Sequence, residues 1–570
     1  ALPLRAAAGT IAAYNLFVLL SFVLSGYAVF LLARRHSCGR AAAWLGGLAY
    51  TVSTFHFFHL RLGHLEQISM QWLPLYALAL DALLMTTSRA RRPDRPRFFA
   101  RRSSVVRVLL ATLALLAVSF TSLYMALYAA LLTGVWVAWM VVETWVGPHP
   151  PVPTALPIGA GQGVRAPLLN LGAMLLLTLM IVGPALLIPM VHEVQQATYM
   201  VPGTDATVRG SALPADALLP PAAHPLRTLL ALPEPYSAGA FVGYLALALA
   251  LYGAVTRAPL AARWLALTAI AWALSLGPAL PFYRLISAFP PLQVSRYPDR
   301  FALLMLLGVA VMAALGAAAL LARLRGWARL VVAGALLGLM LLELYPGAPP
   351  LIAPPDNPFY YTLARDRDQF SVLELPITRH NSAWLAMYAQ TIHGHPILDG
   401  ALARVVPHVP FSQLALVRQL DRPSTPTDIA VEPPPARVAA LRFFDLHYVI
   451  YHRADGNSAP KPPSADALSR VTGVPVSQVY ADDELVAYRL DVPDGQAALP
   501  AVAAIGDGWY DLEGSGPEAH RWLQPGGGAV QLYAPQDETV TLQMKLAAYQ
   551  ESRQLDVYLD DQPIGHVGAR

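Results

Sequence analysis

Leu330-Val331-Val332-Ala333-Gly334-Ala335-Leu336-Leu337-Gly338-Leu339-Met340-Leu341-Leu342-Glu343-Leu344-Tyr345-Pro346-Gly347-Ala348-Pro349-Pro350 joins two kinds of chain. As far as Tyr345 it is an apolar run, the last of a series separated by short arginine clusters. Beyond Pro349 the sequence turns acidic and strand-rich, and no later run reaches the roughly 17 to 25 apolar residues that cross a bilayer as a helix. The switch divides the protein into a membrane half and a water-facing half.

Composition agrees with that division. Hydrophobic residues make up 55% of the 570 and charged residues 13%, with a mean hydropathy of +0.45; soluble domains carry about 25% charged residues. The net charge of +4 conceals opposites, because 24 arginines face ten acids through Tyr345 and 16 Lys or Arg face 26 acids after it. Cys38 is the only cysteine, so the chain has no intramolecular disulfide. The start at Ala1, without Met or signal-peptide pattern, reads as the start of a fragment. The end, just past the strand-like Leu555 to Leu559, reads as a sheet cut short.

The bilayer ruler places spans at 11–33, 41–58, 69–86, 107–120, 122–143, 166–190, 239–255, 264–280, 301–322 and 328–345, about ten in all. The 107–120 run is short and interrupted from Ser119 to Ser122, which suits half of a broken or re-entrant pair. If the first span enters from outside, 17 of the 24 arginines fall in cytoplasmic loops, among them Arg34, Arg35, Arg40, Arg107, Arg257, Arg263, Arg323, Arg325 and Arg329. The positive-inside rule favours that orientation and puts the tail outside the cytoplasm. The dense cluster Arg89 to Arg107 is read as a topology signal, since no aromatic interleaving or nucleic-acid fold accompanies it.

Three outer loops could carry chemistry. In the first, His56, His59, His64 and Glu66 precede Gln71, Trp72 and Pro74; polar groups at a helix mouth can face a headgroup or a bundle cavity. The histidine spacing does not match a zinc helix, and interfacial anchoring competes with a binding role. The second, His192 to Gly239, is long enough for a lid or a surface strap, with Gln195, Gln196, Tyr199, Arg209, His224 and Glu234 as groove candidates. The third runs from Phe282 through Arg284 to Arg296-Tyr297-Pro298-Asp299-Arg300-Phe301. Outer-face arginines at a helix start suit a phosphate; the competing reading is that Asp299 caps the helix and pairs with an arginine.

The runs Ala13-Tyr14-Asn15-Leu16 through Leu24-Ser25-Gly26-Tyr27, Gly63-His64-Leu65 with Gln71-Trp72-Leu73-Pro74-Leu75, and Arg296 to Phe301 resemble large bacterial membrane proteins of the GT-C glycosyltransferase type, especially the YfhO-like group. In the tail Val372-Leu373-Glu374-Leu375-Pro376, Met387 to Ile397 and Phe444 to Ile450 continue the resemblance. It implies transfer of a sugar from a polyprenyl-phosphate donor to a glycan or lipid acceptor of the cell envelope, on the outer face of the cytoplasmic membrane. Basic groups would stabilise the departing lipid phosphate. The acidic loop that would supply the catalytic base is expected before Ala1, so no base is assigned. The carry-over is limited to Arg296, Arg300, Asp299, His64 and Glu66 as phosphate or substrate contacts. No cofactor or metal is certain; a divalent metal stays open, and nucleic acid is not an expected partner.

The expected fold is therefore a polytopic α-helical membrane bundle of about ten transmembrane helices over 1–349, an extracytoplasmic α/β domain over 350–495, and a truncated β-sandwich over 496–570. Trp509, Tyr510 and Trp522 could hold sugars but suit packing better, and His393, Asp399 and Arg404 form a polar group that could contact an acceptor. The competing function is a transporter, flippase or scaffold for a cell-surface polymer. No internal repeat of the kind transporters show is visible.

Overall fold

The computed structural model describes residues 5–84, 104–146, 162–196, 204–280, 283 and 296–347 with single gaps at 8, 223 and 346. It also describes 356–569 outside 378–381, 399, 401–413, 422–428, 430–431, 454–461, 496–497, 500, 515–517, 535–538, 542, 549–550 and 561. Arg284, Asp399, Arg404, Tyr199 and the arginines from Arg89 to Arg102 lie outside the described residues. The chain forms two compact units, Ala1–Leu351 and Ile352–Arg570.

In the first unit α1 (Thr10–Arg35), α2 (Arg40–Thr51), α3 (Thr54–Arg61), the single turn α4 (Leu65–Ile68) and α5 (Trp72–Leu84) precede α6 (Ser104–Thr121) and α7 (Leu123–Val146). Then come α8 (Gln162–Val182), continued through a π-turn at Gly183–Leu187 into α9 (Ile188–Gln196), the short α10 (Thr204–Arg209) and α11 (Pro225–Leu229), and α12 (Tyr244–Thr256), α13 (Ala258–Ser275), α14 (Ala302–Ala322) and α15 (Gly326–Glu343). The wide turn coincides with Pro184, which has no N–H to give the preceding turn.

Among the described residues seven helices are long and apolar enough to cross a membrane: Thr10–Arg35, Ser104–Thr121, Leu123–Glu143, Arg165–His192, Ala258–Ser275, Pro298–Ala322 and Gly326–Glu343. The protein is a multi-pass membrane protein. Three runs counted among the expected ten fall short of that length. The 41–58 run is split at Val52–Ser53 into α2 and α3, and the 69–86 and 239–255 runs yield the 13-residue helices α5 and α12. At 1.5 Å per residue, 13 residues rise about 20 Å, less than a hydrocarbon core. The interruption at Ser119 to Ser122 narrows to Ser122, whose hydroxyl accepts the Tyr124 N–H at 3.2 Å and starts α7 as a new helix.

The core of this unit is α14, buried along nearly its whole length. Small residues let its neighbours approach: a Cβ on Gly46 of α2 would lie 2.8 Å from the Ala310 carbonyl, and one on Gly316 2.9 Å from the Gly253 nitrogen of α12.

Contacts between helix ends sort the bundle into two sides. At one, Arg35 closing α1 and Arg263 in the second turn of α13 clasp Asp81 near the end of α5, the Arg263 contact measuring 2.7 Å. Trp264 Nε1–H donates to His36 at 3.3 Å, Arg34 donates to the Cys38 carbonyl at 2.7 Å, and Arg323 lies over Tyr252 of α12 at 5.6 Å. At the other, Glu343 closing α15 accepts the Leu245 N–H at 3.0 Å, and Ala212 N–H donates to the Ser275 carbonyl closing α13 at 2.9 Å. Thr54 Oγ1 donates to the Phe241 carbonyl at 2.9 Å on the same side.

The second unit begins with α16 (Pro358–Leu363) and builds a four-stranded sheet from β1 (Ser371–Leu375), β2 (Leu446–His452), β3 (Val476–Ala481) and β4 (Leu485–Leu490) in the order β1-β2-β4-β3. β1 and β2 are parallel with Glu374 opposite Ile450, and β4 is antiparallel to β2 and β3. The parallel pair needs a long crossover, which α17 (Ser382–His393), α18 (Ala415–Asp421) and α19 (Pro434–Phe443) help to supply; α20 (Ala465–Thr472) follows β2. Period-two alternation sends Leu373, Leu375, Val449 and Tyr451 to one core, with Leu416, Leu441 and Leu468. Val372, Tyr448 and Ile450 go to the other, with Phe359, Tyr360, Leu363 and Ala389.

After residue 501 the strands β5 (Val502–Ile505), β6 (Trp509–Glu513), β7 (His520–Leu523), β8 (Val530–Tyr533), β9 (Arg553–Leu559) and β10 (Gln562–Ala569) pair as three separate two-stranded antiparallel ladders, β5-β8, β6-β7 and β9-β10. Among the described residues these ladders do not assemble into the two facing sheets of the expected β-sandwich. Along β9 and β10 nearly every residue is exposed, whereas a sandwich strand buries every second one. Alternating hydrophobicity marks a strand without saying whether a second sheet covers it.

Candidate functional site

The short elements between α2 and α5 carry the first outer loop. Gly63, with a φ of 70°, ends α3 in the left-handed region and turns the chain into α4. His56 is held on both sides, its Nδ1 2.9 Å from the Thr51 carbonyl and its Nε2 3.0 Å from the Ile68 carbonyl, with its ring stacked on Phe22. His59 and His64 meet Nδ1 to Nδ1 at 3.0 Å. Burial first, and the Arg300 charge second, push both rings below the ordinary histidine range. Among the described residues no three His, Cys, Asp or Glu side chains gather as metal ligands.

Arg300 sits in the turn Pro298–Phe301 that opens α14. Its guanidinium lies over Tyr297 at 4.6 Å and over Tyr124, at the start of α7, at 4.9 Å. Its Nη1 is 4.0 Å from Glu66 Oε1; the arginine side chain is 10% exposed and the glutamate 39%. A cation gripped by two rings and loosely paired with a half-open carboxylate is oriented and incompletely neutralised.

Arg300, Glu66 and His64, expected as contacts from the sequence, are brought together here; Asp299 and Arg296 are turned to other partners. Asp299 makes no side-chain cap to the following helix. Its Oδ2 accepts the Ser237 hydroxyl at 3.0 Å and its N–H donates to the Gly210 carbonyl at 3.0 Å. Arg296 lies over Tyr297 at 5.5 Å and donates its backbone N–H to the Tyr124 hydroxyl at 3.1 Å. A Cβ on Gly210 would stand 3.0 Å from Tyr297 Cα, which keeps that position small.

The described part of the second outer loop is a strap tied onto this turn. Asp216, fully buried, accepts the N–H groups of Leu213, Tyr236 and Ser237 at 2.7, 2.8 and 3.0 Å, and Ser237 then reaches Asp299. Glu234 pairs with Arg227 at 2.6 Å, and His224 Nδ1 accepts the Leu226 N–H at 3.1 Å to cap α11.

Sequence reasoning passed over Tyr124, which no short motif links to Arg300, and Asp216, one of four acids in a proline-rich loop. It also passed over Ser21 and Ser25. These serines are four residues apart on α1, and Gln67 and Gln71 are four apart beside α5. All four are buried, and Ser21 Oγ, Ser25 Oγ, both Gln67 amide atoms and Gln71 Oε1 have no hydrogen-bond partner among the described residues. α1 and α5 run in the same direction from the Glu66 side to the Arg35–Asp81 contact. Buried polar side chains of this kind are functional candidates in a membrane bundle.

No family model matches the chain, and no curated protein matches it. Solved structures similar to it include the arabinofuranosyltransferase AftD from Mycobacteria, determined by single-particle cryo-EM. One form aligns at 13% identity and a TM-score of 0.45 over 88% of this chain and 35% of that one. Two classes of a mutant align at 14% and 15% identity with TM-scores of 0.49 and 0.44, over 85% and 87% of this chain and 35% and 36% of theirs. The chain spans about a third of the length of that protein. Likeness at that level transfers neither activity nor substrate.

Proposed function

We propose that the chain belongs to a GT-C-type membrane glycosyltransferase, with Arg300 as the group that receives the phosphate of a polyprenyl-phosphate sugar at the outer membrane face. The observation that carries this reading is the Arg300 guanidinium, fixed between Tyr124 and Tyr297 with Glu66 at 4.0 Å. An ion pair of that length and exposure costs little to exchange for phosphate. Guanidinium matches phosphate with parallel N–H donors, and preset stacking removes part of the ordering cost. The motifs from Gly63 and Arg296 onward support the family.

In this reading the acceptor oxygen attacks the anomeric carbon and the C1–O bond to the lipid phosphate breaks. Arg300 stabilises the charge gathering on the departing phosphate. Glu66, released from Arg300, and the neutral His59 and His64 turn to the sugar or the acceptor. The base is not assigned to any residue of this chain. The shorter helices α2, α5 and α12 complete the membrane bundle, the arginine-bearing side faces the cytoplasm, and Ile352–Arg570 lies outside the cytoplasmic membrane.

Titration of the purified protein in nanodiscs with polyprenyl phosphate tests the reading. Arg300→Ala is expected to weaken binding by roughly tenfold or more, with Arg300→Lys between the two. Equal affinity in all three rejects it.

A further inference from the structure

The second unit holds a polar cluster inside its own sheet. Glu374 of β1 and His452 of β2 stand at the C-terminal ends of the two parallel strands, on the face packed by α16 and α17. Glu374 Oε2 accepts the Tyr360 hydroxyl at 3.0 Å and faces His452 Nε2. Nearby, the His395 backbone N–H donates to His393 Nδ1 at 3.0 Å. A ring nitrogen that accepts is unprotonated, so the proton of neutral His393 is on Nε2. Burial holds this ring down to about 4, so it is neutral at ordinary pH.

Two hydrogen-bonding atoms are then left over. Among the described residues His393 Nε2 has no acceptor and Glu374 Oε1 has no donor, although each residue is only 4% exposed. Tyr360 touches both: its hydroxyl is on Glu374 and its ring centre is 5.9 Å from that of His393. Buried polar atoms without partners are costly, so one open donor and one open acceptor around the same tyrosine call for a group that can serve both. Carboxylate and phosphate cannot donate and are repelled by Glu374, and an ammonium cannot accept. A hydroxyl does both.

The location favours a ligand, since α/β sheets bind theirs beyond the carboxyl ends of parallel strands. Next to the cluster His452, its side chain 18% exposed, pairs with Leu485, and at that end of the sheet Asn357 Nδ2 donates to Asp482 Oδ2 at 2.8 Å and to the exposed Glu484 at 2.9 Å. We propose that this edge of the sheet binds a neutral saccharide, one sugar hydroxyl accepting from His393 Nε2 and donating to Glu374 Oε1, with Glu484 taking a neighbouring hydroxyl at the rim. The site lies wholly within Ile352–Arg570 and makes no use of Arg300.

Saturation-transfer NMR on the full chain in detergent micelles, with the methyl glycosides of arabinose, galactose, glucose and mannose as probes, tests the proposal. Wild type is expected to saturate the ring protons of at least one of them. Glu374→Gln and His393→Phe should each weaken that sugar by roughly tenfold, the loss expected for a hydrogen bond to a charged or buried group, while Arg300→Ala leaves it unchanged. If Glu374→Gln does not keep the wild-type melting profile, His393→Phe decides. Absence of saturation from all four probes, the result for a cluster bridged by a single water, overturns the proposal, as does undiminished binding in a folded variant. Polyprenyl phosphate binding that is equal in wild type and Arg300→Ala, with sugar binding intact, would reject the transferase reading and leave this site standing.

Discussion

Arg263 Nη2 and Asp81 Oδ1 meet at 2.7 Å inside the helical unit, with side chains 7% and 6% exposed, and Arg35 holds the same carboxylate from α1. Two arginines that a topology count treats as loop charges are thereby tied across α1, α5 and α13. Arg263 also covers Trp136 of α7 at 5.0 Å.

Removing the acid leaves the buried Arg263 and the part-buried Arg35 without their counter-charge, which costs about 3 to 5 kcal/mol. Asp81→Asn should therefore lower the melting temperature in detergent markedly. Replacing Asp81, Arg35 and Arg263 together by apolar residues of similar size should recover much of the loss. A triple variant less stable than Asp81→Asn would show that the charges do more than neutralise one another.

The same contact predicts sidedness. Glu234, 82% exposed in the strap, belongs to the Arg300 side, and Arg325, exposed after α14, to the Arg35 side. Burial pushes the Cys38 thiol up to about 12, so the native cysteine should stay silent to maleimide at neutral pH. In intact cells a membrane-impermeant maleimide should label Glu234→Cys at once and Arg325→Cys only after permeabilisation. Labelling of both from outside would refute the assigned orientation.

Much of this was legible in the residues, and the limits have physical causes. Apolar length located the helices, but length along the sequence does not register a break such as Val52–Ser53 or a helix start after Ser69, so three expected spans come out short. The β1 and β2 strands sit on the apolar runs Phe370 to Leu375 and Tyr448 to Tyr451, which read as strands because both of their faces are buried, and β3–β4 forms the hairpin read from Gln478 to Leu490. Later strands were equally readable and their pairing was not, since period two says nothing about partners. Arg300 and Glu66 lie far apart in the chain and could be suspected separately; Tyr124, which completes the grip, carries no local signal.

Asp482 links β3 to α16 in the second unit. Burial works to raise its carboxyl, but the Leu485 and Glu484 N–H groups, Asn357 and the Tyr480 hydroxyl outweigh it and hold it down to about 2. Its folded value lies below the ordinary carboxylate value of about 4, so its contribution is complete above pH 4 and is lost as pH falls toward 2. The difference in melting temperature between wild type and Asp482→Asn should shrink across that window. A gap independent of pH between 4 and 2 would contradict this.

The central claim rests on Arg300, and turnover of a polyprenyl-phosphate sugar by the purified protein in nanodiscs tests it most directly. Arg300→Ala should lower kcat by about a hundredfold, the loss seen when a preset donor to developing negative charge is removed, with Arg300→Lys partly active and both variants retaining the wild-type melting profile. A folded Arg300→Ala protein that turns over donor at the wild-type rate would contradict the account.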